Sequence, residues 1–189
     1  MIFSARRRPV RAAAELAYRQ VVEQARRPVF FTEYGMPDTL DGRFELICLH
    51  AFLYLHRLKP ERPQASPLCQ IFFDTMFADL DRALREMGTG DLSVGKQVKR
   101  MAQGFYGRIG AYEAGIAGDD GVLGAALARN LFGTVPEPAA HVGAMTGYVR
   151  AAAARLRRQP AAELLAGRPH FDPPPPCDPA VFAASGASR

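Results

Sequence analysis

Apolar residues recur at spacings of three and four along most of this chain, and prolines and glycines interrupt them. Val10, Ala14, Ala17, Val21 and Ala25 mark a first helix over residues 9–26, with Pro9 suited to its opening turn. After a turn at 28–34, a second helix begins at Asp38 or Thr39, either of which can cap free amides. It runs to Leu58 along Phe44, Ile47, Cys48, Ala51, Phe52 and Leu55. Pro60, Pro63 and Pro67 exclude helix from residues 59–67. A third helix over 68–87 carries Phe72, Phe73, Met76, Leu80 and Leu84, and Gly88 and Gly90 stop it. A fourth, over 93–116, carries Val94, Val98, Met101, Phe105, Ile109, Tyr112 and Ile116. Asp119 and Asp120 cap a fifth that ends at Gly133; a sixth spans 138–158, and residues 160–166 add a short seventh.

Period-two alternation of β-branched residues is absent, so no strand is predicted. The expected fold is all-α: a single-domain helical bundle of about six to seven helices, each burying one apolar stripe. Residues 1–27 form a basic N-terminal helix and residues 28–167 the helical domain. Residues 168–189, with Pro169, Pro173 to Pro176 and Pro179, read as a disordered tail.

Composition narrows the functional classes. The chain has 189 residues, 48% hydrophobic and 23% charged, enough for one buried core. Its most apolar run, residues 46–55, includes His50 and falls short of the roughly 18 residues needed to cross a bilayer. No signal-peptide pattern follows the early arginines. Three widely spaced cysteines (Cys48, Cys69, Cys177) suit free thiols in a reducing compartment. The net charge of +5 resides in the first 28 residues, where Arg6, Arg7, Arg8, Arg11, Arg19, Arg26 and Arg27 face two glutamates. Of 24 basic residues three are lysines, a skew typical of GC-rich bacterial coding.

Signatures of hydrolases, zinc proteases and nucleotide-binding loops are missing. Cys48 and His50 are two apart on a helix and point in different directions, so they do not make a nucleophile and base. His50 and His56 are six apart, about 240° around a helix, and do not make a metal face. No catalytic residue, metal or cofactor is therefore assigned. Asp79 interrupts the flank of an aromatic face and needs a partner if buried. Gly104, Gly107 and Gly110 each cost about 1 kcal/mol relative to alanine inside a helix. Tight packing against a neighbouring helix is the first expectation for them, and a groove for a partner's helix the second. Lys96, Lys99 and Arg100 form a basic patch on the same helix. The candidate partner contacts are His50, Asp79, Lys96, Lys99, Arg100, Gly104, Gly107 and Tyr112. Arg6, Arg7, Arg8 and Arg11 are the candidate contacts for an anionic surface, either lipid or ribosomal RNA. No helix-turn-helix stands out, so sequence-specific DNA binding is not expected.

Three stretches together resemble the ubiquinol–cytochrome c chaperone family. They are GMPDTLDGRFELICLHAFLYLHRLK (35–59), MFADLDRALREMG (76–88) and FYGRIGAYEAGIAGDDGVLGAALARNLF (105–132), and Tyr148-Val149-Arg150 extends the match. The family often places tryptophan where this chain has Phe52, Phe77 and Ala128. The resemblance implies a helical, non-catalytic factor that binds newly made cytochrome b, near the ribosome that makes it, during assembly of respiratory complex III. It also implies a cytoplasmic protein, peripheral at the inner membrane, or a matrix protein were the chain mitochondrial. The competing expectation is a ribosome- or membrane-associated adaptor working through the basic arm.

Overall fold

The apolar run at residues 46–55 becomes the axis of the molecule. The computed structural model describes residues 2–88, 90–135 and 139–177, with the side chains of 2–7, 91, 92, 139 and 140 outside the description. Helix α1 spans Ile2–Ala25, the one-turn helix α2 Val29–Thr32, and α3 Leu40–Leu58. A 3-10 turn, Lys59–Glu61, leads to α4, Ser66–Glu86. Then come α5 (Asp91–Ala117), α6 (Asp120–Leu131), α7 (Ala139–Arg158) and α8 (Ala161–Leu165). No strand occurs among the described residues, and the fold is an all-α helical bundle.

One stripe was expected on each helix, and α3 departs from that. Leu46, Cys48, Leu49, His50, Ala51, Phe52, Leu53 and Tyr54 are all at most 1% exposed. Helices α1, α5, α6 and α7 pack around this stretch of α3. A helix that is apolar all round belongs inside a protein of this kind, and a ten-residue run that includes a histidine is too short to cross a membrane. No helix of the described residues is long and apolar enough to do so.

The helix ends are fixed by local chemistry. Thr39 Oγ1 accepts from the Gly42 amide at 3.1 Å, and Asp119 Oδ1 from the Val122 amide at 2.9 Å, as N-caps do. Arginines close the other ends. Arg57 donates to the carbonyls of Leu156 and Gln159 at the end of α7, and Arg150 to those of Ile116 and Gly118 at the end of α5. Two expectations about proline fail. Helix α1 begins at Ile2, so Pro9 lies inside it and removes one intrahelical bond. Pro67 sits in the first turn of α4, where its missing N–H costs nothing, so the helix starts earlier than expected.

The tail is the main correction. Through Cys177 it is a strap laid across the bundle, while residues 178–189 lie outside the described residues. Gly167 turns the chain at φ +77°, and a Cβ there would lie 2.0 Å from the Ala13 carbonyl oxygen. The strap has no regular structure of its own, as its prolines demand, yet its backbone finds partners on the helices. Gln24 donates to the Asp172 carbonyl at 3.0 Å and Tyr34 to that of Pro175 at 3.0 Å, and the Cys177 amide donates to Glu33 at 2.8 Å. Composition signals the irregular backbone but not the aromatic surface that receives it. A chain ending at Gly167 should lose about 2–4 kcal/mol of stability, from the buried apolar area and the orphaned donors, as a lower urea midpoint.

Candidate partner-binding site

Most of the residues nominated from sequence lie apart from one another. His50 and Tyr112 are fully buried, so neither reaches a partner in this fold. The expectation of contact there is corrected: both belong to the core. A carbonyl can only accept, so the Nδ1–H of His50 donates to the Leu46 carbonyl at 2.7 Å. Nε2 then accepts from the Tyr148 hydroxyl at 2.7 Å, and that hydroxyl accepts from Gln24 at 2.9 Å. Rings of Phe30 and Phe171 pack on the imidazole at 5.3 Å each. This circuit joins α1, α3, α7 and the strap. Tyr112 packs on Phe52 at 5.3 Å, and its hydroxyl is buried without a hydrogen-bond partner.

Asp79 finds its partners internally. Its carboxylate accepts from the Tyr18 hydroxyl at 2.8 Å and pairs with Arg82. Both sit in the groove between α1 and α4, with a volume of about 980 Å³. Arg11, Arg19, Arg26 and Arg82 alternate there with Glu15, Glu23, Asp74 and Glu86, so the two signs compensate and nothing converges. Size alone does not make this the site.

A second groove, about 490 Å³, lies between α3, α4 and α5. Phe52, Leu55, Phe73, Phe105 and Ile109 line it, and Tyr106 stands at its edge, 62% exposed. The Tyr106 ring lies 5.6 Å from that of Phe73. At the far end Lys59 Nζ contacts Glu113 at 2.8 Å, which holds that carboxyl below its usual range. His56 packs on Phe52 at 5.3 Å, with its Nδ1 3.8 Å from Glu113, and burial lowers its pKa. The volume falls within the roughly 300–1,000 Å³ of ordinary binding pockets, and the lining is mostly apolar, as such sites are.

The glycines behave differently from their first expectation. A Cβ at Gly107 or Gly110 would meet nothing within 4 Å, and both residues are exposed, so no neighbouring helix accounts for them. Tight packing occurs instead at Gly115, where a Cβ would meet Leu123 of α6 at 2.8 Å. Gly104 adjoins Arg108, whose guanidinium forms a half-buried ion pair with Glu45 between α5 and α3. Lys96, Lys99 and Arg100 are exposed on the N-terminal part of α5. Arg8 and Arg11 are exposed on α1, while the side chains of Arg6 and Arg7 lie outside the described residues. Sequence reasoning missed Tyr106, Phe73, His56 and Arg62. Tyr106 carried a readable signal: it is a large aromatic off the apolar stripe of its helix, next to a glycine.

Among the described residues no three His, Cys, Asp or Glu side chains are grouped to hold a metal ion. Fold and groove together define a helical binding domain with an apolar recess. The chain belongs to the ubiquinol-cytochrome C chaperone family, which matches residues 32–171. It is 33% identical over 141 residues to ubiquinol-cytochrome c reductase complex assembly factor 1 of Homo sapiens, covering 75% of this chain and 47% of that protein. It is 28% identical over 154 residues to the mitochondrial protein CBP3 of Saccharomyces cerevisiae, covering 77% and 44%. This chain thus spans about half the length of these two relatives. The crystal structure of the Cbp3 homolog from Brucella abortus superposes with a TM-score of 0.79 at 38% identity, covering 91% of this chain and 97% of that one.

The His50 circuit makes a pH prediction. Burial pushes the imidazole down to about 4 from its ordinary value of 6.5, so the unfolded chain takes up the proton first. Its contribution to stability is complete above pH 6.5 and is lost as pH falls towards 4, by about 3 kcal/mol in all. Urea denaturation of His50→Gln should show a flatter stability profile than the parent between pH 6.5 and about 4.5. An unchanged slope would mean that another group carries it.

Proposed function

We propose that this chain is a non-catalytic assembly chaperone that binds newly made cytochrome b and assists assembly of ubiquinol–cytochrome c reductase. The family supports the assembly role, and the name of the human relative points to the same complex. The single observation that carries the binding role is the recess between α3, α4 and α5, where the exposed ring of Tyr106 and the half-buried Phe73 stand over a floor of buried Phe52 and Phe105. An aromatic ring left 62% in water beside two exposed helical glycines is only partly covered by Phe73, and a partner's apolar helix would cover the rest. The rigid bundle holds the recess open, and binding there shields the client's apolar surface without any bond being made or broken.

Where the chaperone works is part of the same reading. The exposed Arg8 and Arg11 support attachment of α1 to an anionic surface, either ribosomal RNA or lipid headgroups at the inner membrane. At about 1 kcal/mol per basic residue such contact is reversible and weakens with salt.

Deleting the gene should lower assembled complex III while other respiratory complexes keep their levels. Restoring the parent chain should rescue it; Tyr106→Asp, at a position already in water, should fold normally and fail to rescue. Normal complex III in the deletion strain would contradict the proposal. Full rescue by Tyr106→Asp would move the binding role away from this groove.

A further inference from the structure

The groove between α3, α4 and α5 changes character along its length. Its middle is apolar, with Leu55 and Ile109 beside the aromatic rings. At one end stand Lys59 and Arg62, with Glu113 the nearby carboxylate. Glu113 is already engaged by Lys59 at 2.8 Å. Arg62 is exposed and has no ion-pair partner among the described residues. The other end is also basic: Lys99 lies seven residues before Tyr106, two turns along the same side of α5, and is exposed and unpaired among the described residues.

An apolar floor with uncompensated positive charge at both ends describes the chemistry of what would fit it. Resting on the chaperone reading above, we propose that the groove receives an apolar partner helix flanked at both ends by carboxylates. One flank lies over Arg62 and the other over Lys99. The apolar face covers Tyr106 and Phe73. The exposed backbone at Gly110, one turn beyond Tyr106, where a Cβ would meet nothing, lets the incoming helix lie close against that edge of α5. Apolar contact supplies most of the affinity, and the flanking charges set register and exclude segments with basic ends.

The test uses the full chain and two labelled helical peptides of about 18 residues in dilute non-ionic detergent. They share one leucine- and phenylalanine-rich centre and differ in carrying either glutamates or lysines at both ends. The glutamate-flanked peptide should bind about tenfold more tightly at low salt, with the gap closing as salt is raised. The double variant R62E/K99E, changed at two exposed positions, should reverse the preference. Tyr106→Asp should weaken both peptides by about tenfold or more. Equal binding of the two peptides, no reversal in R62E/K99E, or indifference to Tyr106→Asp would each overturn the inference. So would phosphatidylglycerol vesicles or single-stranded RNA that bind with the same dependence on Arg62, Lys99 and Tyr106, because the surface would then serve a lipid or a nucleic acid. If the flanks prove irrelevant while Tyr106 is still needed for complex III in cells, this inference fails and the chaperone reading stands. Normal complex III in the deletion strain removes the chaperone reading itself.

Discussion

Burying the central run of α3 is the constraint from which the rest of the molecule follows. Nine apolar residues and one histidine in a run of ten cannot be hidden by one neighbour, so α1, α5, α6 and α7 surround them. The same burial traps one imidazole, and its two ring nitrogens must find partners inside because water is excluded. Leu46 supplies an acceptor and Tyr148 a donor, and Gln24 then ties the tyrosine to α1 and the strap. A histidine that sequence alone would nominate for contact is thus a joint of the scaffold.

A rigid scaffold has consequences for its surface. With α3 fixed, the side chains that α4 and α5 direct beyond the core cannot fold back to cover one another, and Phe73, Phe105 and Tyr106 leave an open recess. Aromatic surface in water and glycine backbone in a helix both cost stability; Tyr106 is 62% exposed despite its contact with Phe73, and a Cβ at Gly107 or Gly110 would meet nothing. Exposed aromatic surface and exposed helical glycines on one stretch of α5, beside an apolar recess, support the proposal that this surface holds another protein.

Much of this was legible from residue spacing. The apolar rhythm placed the helices, Thr39 and Asp119 announced their caps, and Gly88 ended α4 at φ +83°. What spacing could not show was which surfaces meet. Asp79 was visible as a polar intrusion, but its partner Tyr18 lies 61 residues away. The prolines of the tail announced irregular backbone, and only the assembled aromatic face of Phe30, Tyr34 and Tyr148 explains why that backbone is held. The glycines of α5 were flagged for their cost, yet their exposure depends on where α6 and α4 stop covering α5. The recess is a property of three helices together, so no single one of them predicted it.

The account holds that this recess, rather than the larger charged channel along α1, grips the client. A photo-reactive amino acid placed at Tyr106, and separately at Arg19 in that channel, tests this in living cells labelled during translation. The account predicts that newly made cytochrome b is captured from position 106 and not from position 19. Capture from position 19 alone would contradict it.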